Sequence, residues 1–509
     1  MRGERGMVAA GHPLTAEAGA KVLREGGNAV DAAVAAMLTS FAAEPLLTGL
    51  GAGGHMLVAG GGEEPALLDF FVEAPTDPRA DGGVAAVEDA SGEGSDVDLR
   101  PVDVSFGDAV QVFHIGPASC GAYGTPAGVC EAVARWGTIP LEELVAPAVE
   151  LAREGVALNA GQAYIAKILV ELLTSTPECA ALWAPEGRIL REGEMLRNPE
   201  LGETLSRLGR EGAEPFYHGE IAAKVCKWVR SLGGSLSGED FAGYRAVVRE
   251  PVRVSYRDHE VLSNPPPSAG GTLLAYALAL LDRGPAPPRL GGVVAAMAAA
   301  QSERTPEFVE DLEREGFLER FLGSRLGSTT HISVLDDRGC ACSVTCTNGE
   351  GSGVVVPGTG IHMNNVMGEQ DLNPLGFHRH PRGRRMPSMM APTVVMRDGQ
   401  VELVLGSAGS NRIRSALLQT IVGVVDNDLG VRAAVDAPRV HFEDSVLYCE
   451  PGIDLAELHV DGDHSASFAE VVEFAALNLF FGGVQAVQRR GATVNGAGDP
   501  RRGGVAVSA

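Results

Sequence analysis

Apolar positions in the first seventy residues predict two helices and then a strand pair. Leu14 to Arg24 is amphipathic and stops at Gly26-Gly27-Asn28, a helix-end signal. Asp31 opens an Ala/Val-rich stretch to about Phe41 that is apolar on most sides, which predicts a buried helix. Residues 55–72 alternate or run apolar and are broken by Gly60-Gly61-Gly62, a β-hairpin pattern. Residues 76–108 are acidic and rich in Gly, Asp and Ser, and read as a long loop. A helical pattern fills 125–235, strands return over 248–263, and Pro265 to Gly271 reads as a rigid turn into another helix.

Residues 301–328 form the clearest internal boundary, a charged run that gives way to small polar residues. Strand patterns follow at 331–336, 341–346, 393–396 and 401–405, then a helix over about 410–425. Helices first and antiparallel hairpins later predict sheets covered by helices rather than a parallel βαβ series.

Composition narrows the function classes. The chain has 509 residues and a formal net charge of −25. A nucleic-acid binder needs a basic surface, and an anionic membrane repels an acidic chain. The longest helix-like apolar run, Leu273 to Leu281, is far below the roughly 20 residues of a membrane span. The first residues hold no apolar run of signal-peptide length. The chain as written is therefore expected in the cytoplasm, or in the periplasm or outside the cell if the true start lies upstream. Cys340, Cys342 and Cys346 match no zinc module and read as small hydrophobes on a strand.

Gly49 to Gly54 fits G-x-G-x-x-G, but a strand pattern follows it where a dinucleotide site needs a helix, so nicotinamide binding is rejected. Gly327-Ser328-Thr329-Thr330-His331 carries a different chemistry. A threonine hydroxyl is a poor nucleophile unless a base stands beside it, and a threonine at a chain terminus can use its own α-amine. Making that terminus requires cleavage before Thr329. The plain alternative is a Thr-Thr pair opening a strand by β-propensity.

Several segments together resemble the γ-glutamyltranspeptidase family of N-terminal-nucleophile hydrolases. They are Glu25 to Val34, Gly51 to Leu57, Tyr123 to Val129, Leu144 to Gly155, Pro265 to Gly271, Thr329 to Asp336, Gly358 to Asn365, Ser388 to Thr393, Gly406 to Arg412, Ala437 to His441 and Gly496 to Gly504. They run in order over nearly the whole chain. The resemblance implies an α+β fold, a four-layer αββα sandwich. It also implies self-cleavage between Ser328 and Thr329 into residues 1–328 and 329–509, about 34 and 19 kDa if mass follows length. The product would be a heterodimer of the two pieces, with further pairing open.

By the same resemblance Thr329 forms an acyl-enzyme with a γ-glutamyl amide such as glutathione and passes the acyl group to water or an amine. Thr347 supports the nucleophile, and the backbone N–H groups of Gly409 and Ser410 form the oxyanion hole. Glu369, Ser388, Met389, Asn365 and Phe71 fall at or beside substrate-binding positions. No metal or organic cofactor is required, and His12, His55 and His331 are read as structural.

The departures concern substrate. The family's carboxylate-binding arginine aligns with Phe71, its asparagine after the supporting threonine with Gly349, a polar residue with Val366, and one of two adjacent serines with Met389. Arg384 and Arg385 are candidate replacement anchors, and Glu350 a candidate amine partner. Two alternatives follow. One is the same chemistry on another acyl group, as in glutaryl-removing cephalosporin acylases or poly-γ-glutamate-cleaving relatives; the other is a non-catalytic relative.

Overall fold

A computed structural model describes residues 5–76, 98–105, 110–302, 330–373, 376–409, 411–458 and 468–509. The helix boundaries near the start follow from capping. Pro13–Glu25 ends on Gly26 in the left-handed region (φ 102°), which a residue without a Cβ adopts freely. Asn28 caps Ala29–Ala43 by accepting from the Val30 and Asp31 amides, and Asp31 returns a bond to the Asn28 amide. Every residue of that second helix is buried, as its all-round apolar pattern requires.

Thirteen strands build two antiparallel sheets. They are β1 Gly6–Ala10, β2 Gly53–Gly60, β3 Glu63–Phe70, β4 Val247–Arg249, β5 Val252–Tyr256, β6 His259–Ser263, β7 Thr330–Asp336, β8 Cys340–Thr347, β9 Thr393–Arg397, β10 Gln400–Ala408, β11 Gly483–Arg490, β12 Thr493–Gly498 and β13 Val505–Ser508. The first sheet runs β13-β1-β7-β8-β2-β3-β4 and the second β12-β11-β10-β9-β6-β5.

Apolar side chains from both sheets meet face to face, among them Leu57, Leu335, Val394, Val404 and Val487. The outer face of the first sheet packs on helices that include Ala29–Ala43, Leu141–Glu154 and Pro199–Glu211. The outer face of the second packs on Ala269–Asp282, Leu290–Ser302 and Arg412–Val425. Four layers result, helix on sheet on sheet on helix, as expected.

One expectation fails. Arg100–Ser105 is a strand paired with Val110–Ile115, inside the stretch read as loop to 108. Val102 and Val104 point to one face and are buried, a two-residue period masked by the acidic residues around it. Most of that stretch, 77–97, and all of 303–329 lie outside the described residues. Residues 49–54 lead straight into β2, with no helix for a dinucleotide phosphate. Cys342 and Cys346 are buried on β8 as free thiols, and Cys340 on the same strand is half-buried. Among the described residues no helix is long and apolar enough to cross a membrane, and no group of three or more His, Cys, Asp or Glu could hold a metal ion.

Candidate active site

Ser328, Thr329 and Ser410 lie outside the described residues; their neighbours frame the site. The interior strand β7 begins at Thr330, which pairs with Cys346 on β8, so Thr347 closes the adjacent strand beside the point where β7 starts. Thr347 is buried, and its hydroxyl accepts a bond from the Gly349 amide (2.8 Å). That bond uses an acceptor lone pair and leaves the O–H proton for another group. The Thr330 side chain donates to Glu44 Oε2 (3.1 Å), and Thr15 donates to Oε1 (2.7 Å). Glu44 sits at the end of the all-buried helix, and burial pushes its carboxyl above the usual range.

The loop after Thr347 is tightly specified. Gly349 (φ 63°) has no room for a Cβ, which would collide with Asn365 Oδ1 and Glu369 Oε1. Asn365 Oδ1 accepts from the amides of Glu350 (3.0 Å) and Gly351 (3.2 Å). Asn365 therefore holds the loop's backbone, and Glu369 fills the space a side chain at 349 would take.

From the second sheet, β10 runs into Gly409, at φ 123°. A Cβ there would stand 2.7 Å from the Gly482 Cα and 3.4 Å from Arg502 Nη2. Arg502 ends a short turn, Pro500–Arg502, capped by Asp499, which accepts from the Arg501 amide (3.0 Å). Asp499 pairs with Arg439 (2.7 Å) and Arg501 (3.2 Å), and Arg501 also pairs with Glu450. This buried network fixes the last turn against Gly482 and Gly483. Burial, with Arg412 nearby, pushes the Arg502 guanidinium down to about 10.

The remaining substrate candidates separate. Phe71 packs with Val366, Met367, Leu372, Met386 and Met390 in a closed apolar cluster. Met389 points instead into the core between the second sheet and its helices. The Ser388 hydroxyl accepts from the Met390 amide (3.0 Å), and its carbonyl accepts from the Ala269 and Gly270 amides, so the residue is bound up in the turn ahead of Ala269–Asp282. Arg385 is buried and committed. It donates to the Phe71 carbonyl, the Tyr244 hydroxyl and the Arg245 carbonyl, and faces Asp69 (3.5 Å) and Glu73 (3.3 Å). It holds the backbone of Phe71 in place. Arg384 is exposed.

The histidines take structural positions. His12 caps Pro13–Glu25 through Nδ1. His55 lies buried between Asp69 and the Phe71 ring, and burial lowers it to about 4. His331 bonds Thr345 (2.8 Å) and Ser333 (2.9 Å) within the inter-sheet layer, and burial lowers it to about 3.

Sequence reasoning passed over Glu44 and Arg502. The one signal for Arg502 was a second arginine after Asp499-Pro500-Arg501, inside a segment already matched to the family's ending.

A family model described as Gamma-glutamyltranspeptidase matches residues 15–308 and 301–509. The chain is similar to the Acylase ACY 1 proenzyme of Pseudomonas sp. strain SE83, at 31% identity over 89% of this chain and 85% of that protein. It is also similar to the Glutathione hydrolase proenzyme of Escherichia coli K12, at 30% identity over 87% of this chain and 82% of that one. Among solved structures, cephalosporin acylase from Bacillus halodurans superposes with a TM-score of 0.81 at 26% identity, covering 99% of this chain and 96% of that chain.

Proposed function

The chain belongs to the γ-glutamyltranspeptidase family and is an enzyme of its hydrolase and acyltransferase type; from that premise we propose that Thr329 is its nucleophile, freed by cleavage of the Ser328–Thr329 bond. In the maturation step the Thr329 hydroxyl attacks the Ser328 carbonyl and the peptide nitrogen leaves. Water then hydrolyses the ester, giving residues 1–328 and 329–509.

In turnover the new α-amine takes the Thr329 hydroxyl proton as the oxygen attacks a γ-glutamyl amide carbonyl. The leaving amine receives that proton, and water or an acceptor amine releases the acyl group by the reverse path. Thr347 donates its free O–H proton to the nucleophile's oxygen. The N–H groups of Gly409 and Ser410 receive the oxyanion, each worth about 2.7–4 kcal/mol of barrier.

One observation carries this reading. The strand that follows Thr329 is interior to its sheet, and its first residue pairs beside Thr347. A nucleophile one residue before that strand adjoins a rigid element in sequence.

The closed apolar cluster around Phe71 favours a second reading of the substrate, with the same chemistry on an acyl group lacking the amino-acid end of glutamate. A buried carboxylate needs charge-assisted partners, and that cluster offers none. Trapping decides the chemistry. Wild-type protein quenched in acid during turnover of a γ-glutamyl or glutaryl anilide should carry an acyl mass on the peptide that begins at Thr329. Acyl mass on any other residue, or on none, contradicts the proposal.

A further inference from the structure

Arg502 is half-buried and differs in its partners from three buried arginines near the site. Arg385, Arg439 and Arg501 each face at least one carboxylate within 4 Å. Arg502 faces none at that distance among the described residues. Its one hydrogen bond goes from Nη2 to the Leu479 carbonyl (3.3 Å), and its Nε is buried without a partner. A half-buried cation held by a single neutral acceptor keeps N–H donors that an anion can complete.

Its surroundings suggest which anion. The guanidinium stands beside Gly409, and its stem lies across Gly483, where a Cβ would meet Arg502 Cγ at 2.8 Å. It lines a cleft shared with Glu44, the acceptor of the Thr330 hydroxyl. The walls of that cleft are largely apolar: Leu46, Leu47, Leu158, Ile165, Trp183 and Leu479. Trp183 also keeps a buried Nε1–H without a partner. Apolar walls ending in one unsatisfied guanidinium suit a short acyl chain with a carboxylate at its far end.

We propose that Arg502 is a specificity-determining residue that holds the carboxylate of the acyl donor from the oxyanion side of the site, in place of the arginine that Phe71 displaces. This rests on the nucleophile reading above and names the donor's class. The planar fork accepts a carboxylate through two parallel N–H···O bonds, which a lysine cannot reproduce.

The test compares glutaryl p-nitroanilide with its neutral isostere, the terminal carboxamide. Wild type should favour the carboxylate donor in kcat/KM. Arg502→Ala should cut that preference about 10- to 100-fold, mainly through KM, and Arg502→Lys should recover only part of it. Equal losses on both donors, or no wild-type preference, overturn the proposal. If Arg502→Ala does not mature, calorimetry on the wild type decides, with glutarate binding and glutaramide not; equal binding or none overturns it. Failure of the nucleophile reading looks different: neither anilide acylates Thr329, while glutarate still binds the wild type and not Arg502→Ala.

Discussion

At the residue scale, a substitution is interpretable only with the space around it. By the resemblance Phe71 stands where the family has an arginine, and from the sequence alone either Arg384 or Arg385 could have taken over. In the structure Arg385 is committed elsewhere: three of its hydrogen bonds go to the Phe71 and Arg245 carbonyls and the Tyr244 hydroxyl, and its charge is met by Asp69 and Glu73. Putting the arginine back should therefore harm the protein. Phe71→Arg places a second guanidinium in a closed apolar cluster beside one already paired. It should lower unfolding stability by about 3 kcal/mol, read as a lower urea midpoint, without creating use of γ-glutamyl anilide. A variant of wild-type stability that gains that activity contradicts the sealed-cluster description. The same reasoning explains what the sequence hid at Met389. Met386 and Met390 join the Phe71 cluster, while Met389, in the segment before β9, sends its side chain to the other core.

At the element scale, the inter-sheet layer is apolar over much of its area and polar near the site. Ser333 donates to the Gln485 carbonyl and Ser343 to the Leu405 carbonyl, so β7 and β8 are tied to β11 and β10. Because the Ser333 proton is used, His331 donates to it from Nε2 and accepts from Thr345 at Nδ1. The ring is neutral in the fold and lowered to about 3, against about 6.5 unfolded. The sign follows from proton counting. Above about pH 6.5 neither state is charged and the stabilisation is whole; as pH falls toward 3 the unfolded state takes up a proton the fold refuses, and stability drops. His55 and His362, each lowered to about 4, act in the same direction. The melting temperature should fall steadily below about pH 6.5. His331→Gln, though less stable at pH 7, should show a shallower fall between pH 6 and 4. An identical slope contradicts a neutral buried His331.

Elements were legible where local chemistry and burial agree. Gly26 and Asn28 mark the break between the first two helices, and Gly61-Gly62 marks the hairpin of β2 and β3. The strand Arg100–Ser105 was not legible, because its exposed face carries the charge that labels a loop.

At the scale of the whole molecule, antiparallel sheets flanked by helices could be read from the order of patterns, while the strand order could not. The first sheet draws β13 from the end of the chain next to β1 from its beginning, with β7 from the middle on the other side. No local periodicity encodes such pairings. The candidate site was legible as a set of segments, since its chemistry needs particular residue types. Arg502 was not, because its meaning depends on the Arg439–Asp499–Arg501–Glu450 network that sets the last turn beside Gly409.

The central claim is that the polypeptide opens itself before Thr329 to make its nucleophile. Intact mass spectrometry with N-terminal sequencing of the purified active protein tests it most directly. The account predicts two pieces, the smaller beginning Thr329-Thr330-His331, and one uncut, inactive chain from Thr329→Ala. Full activity in a wild-type chain that remains uncut would contradict it.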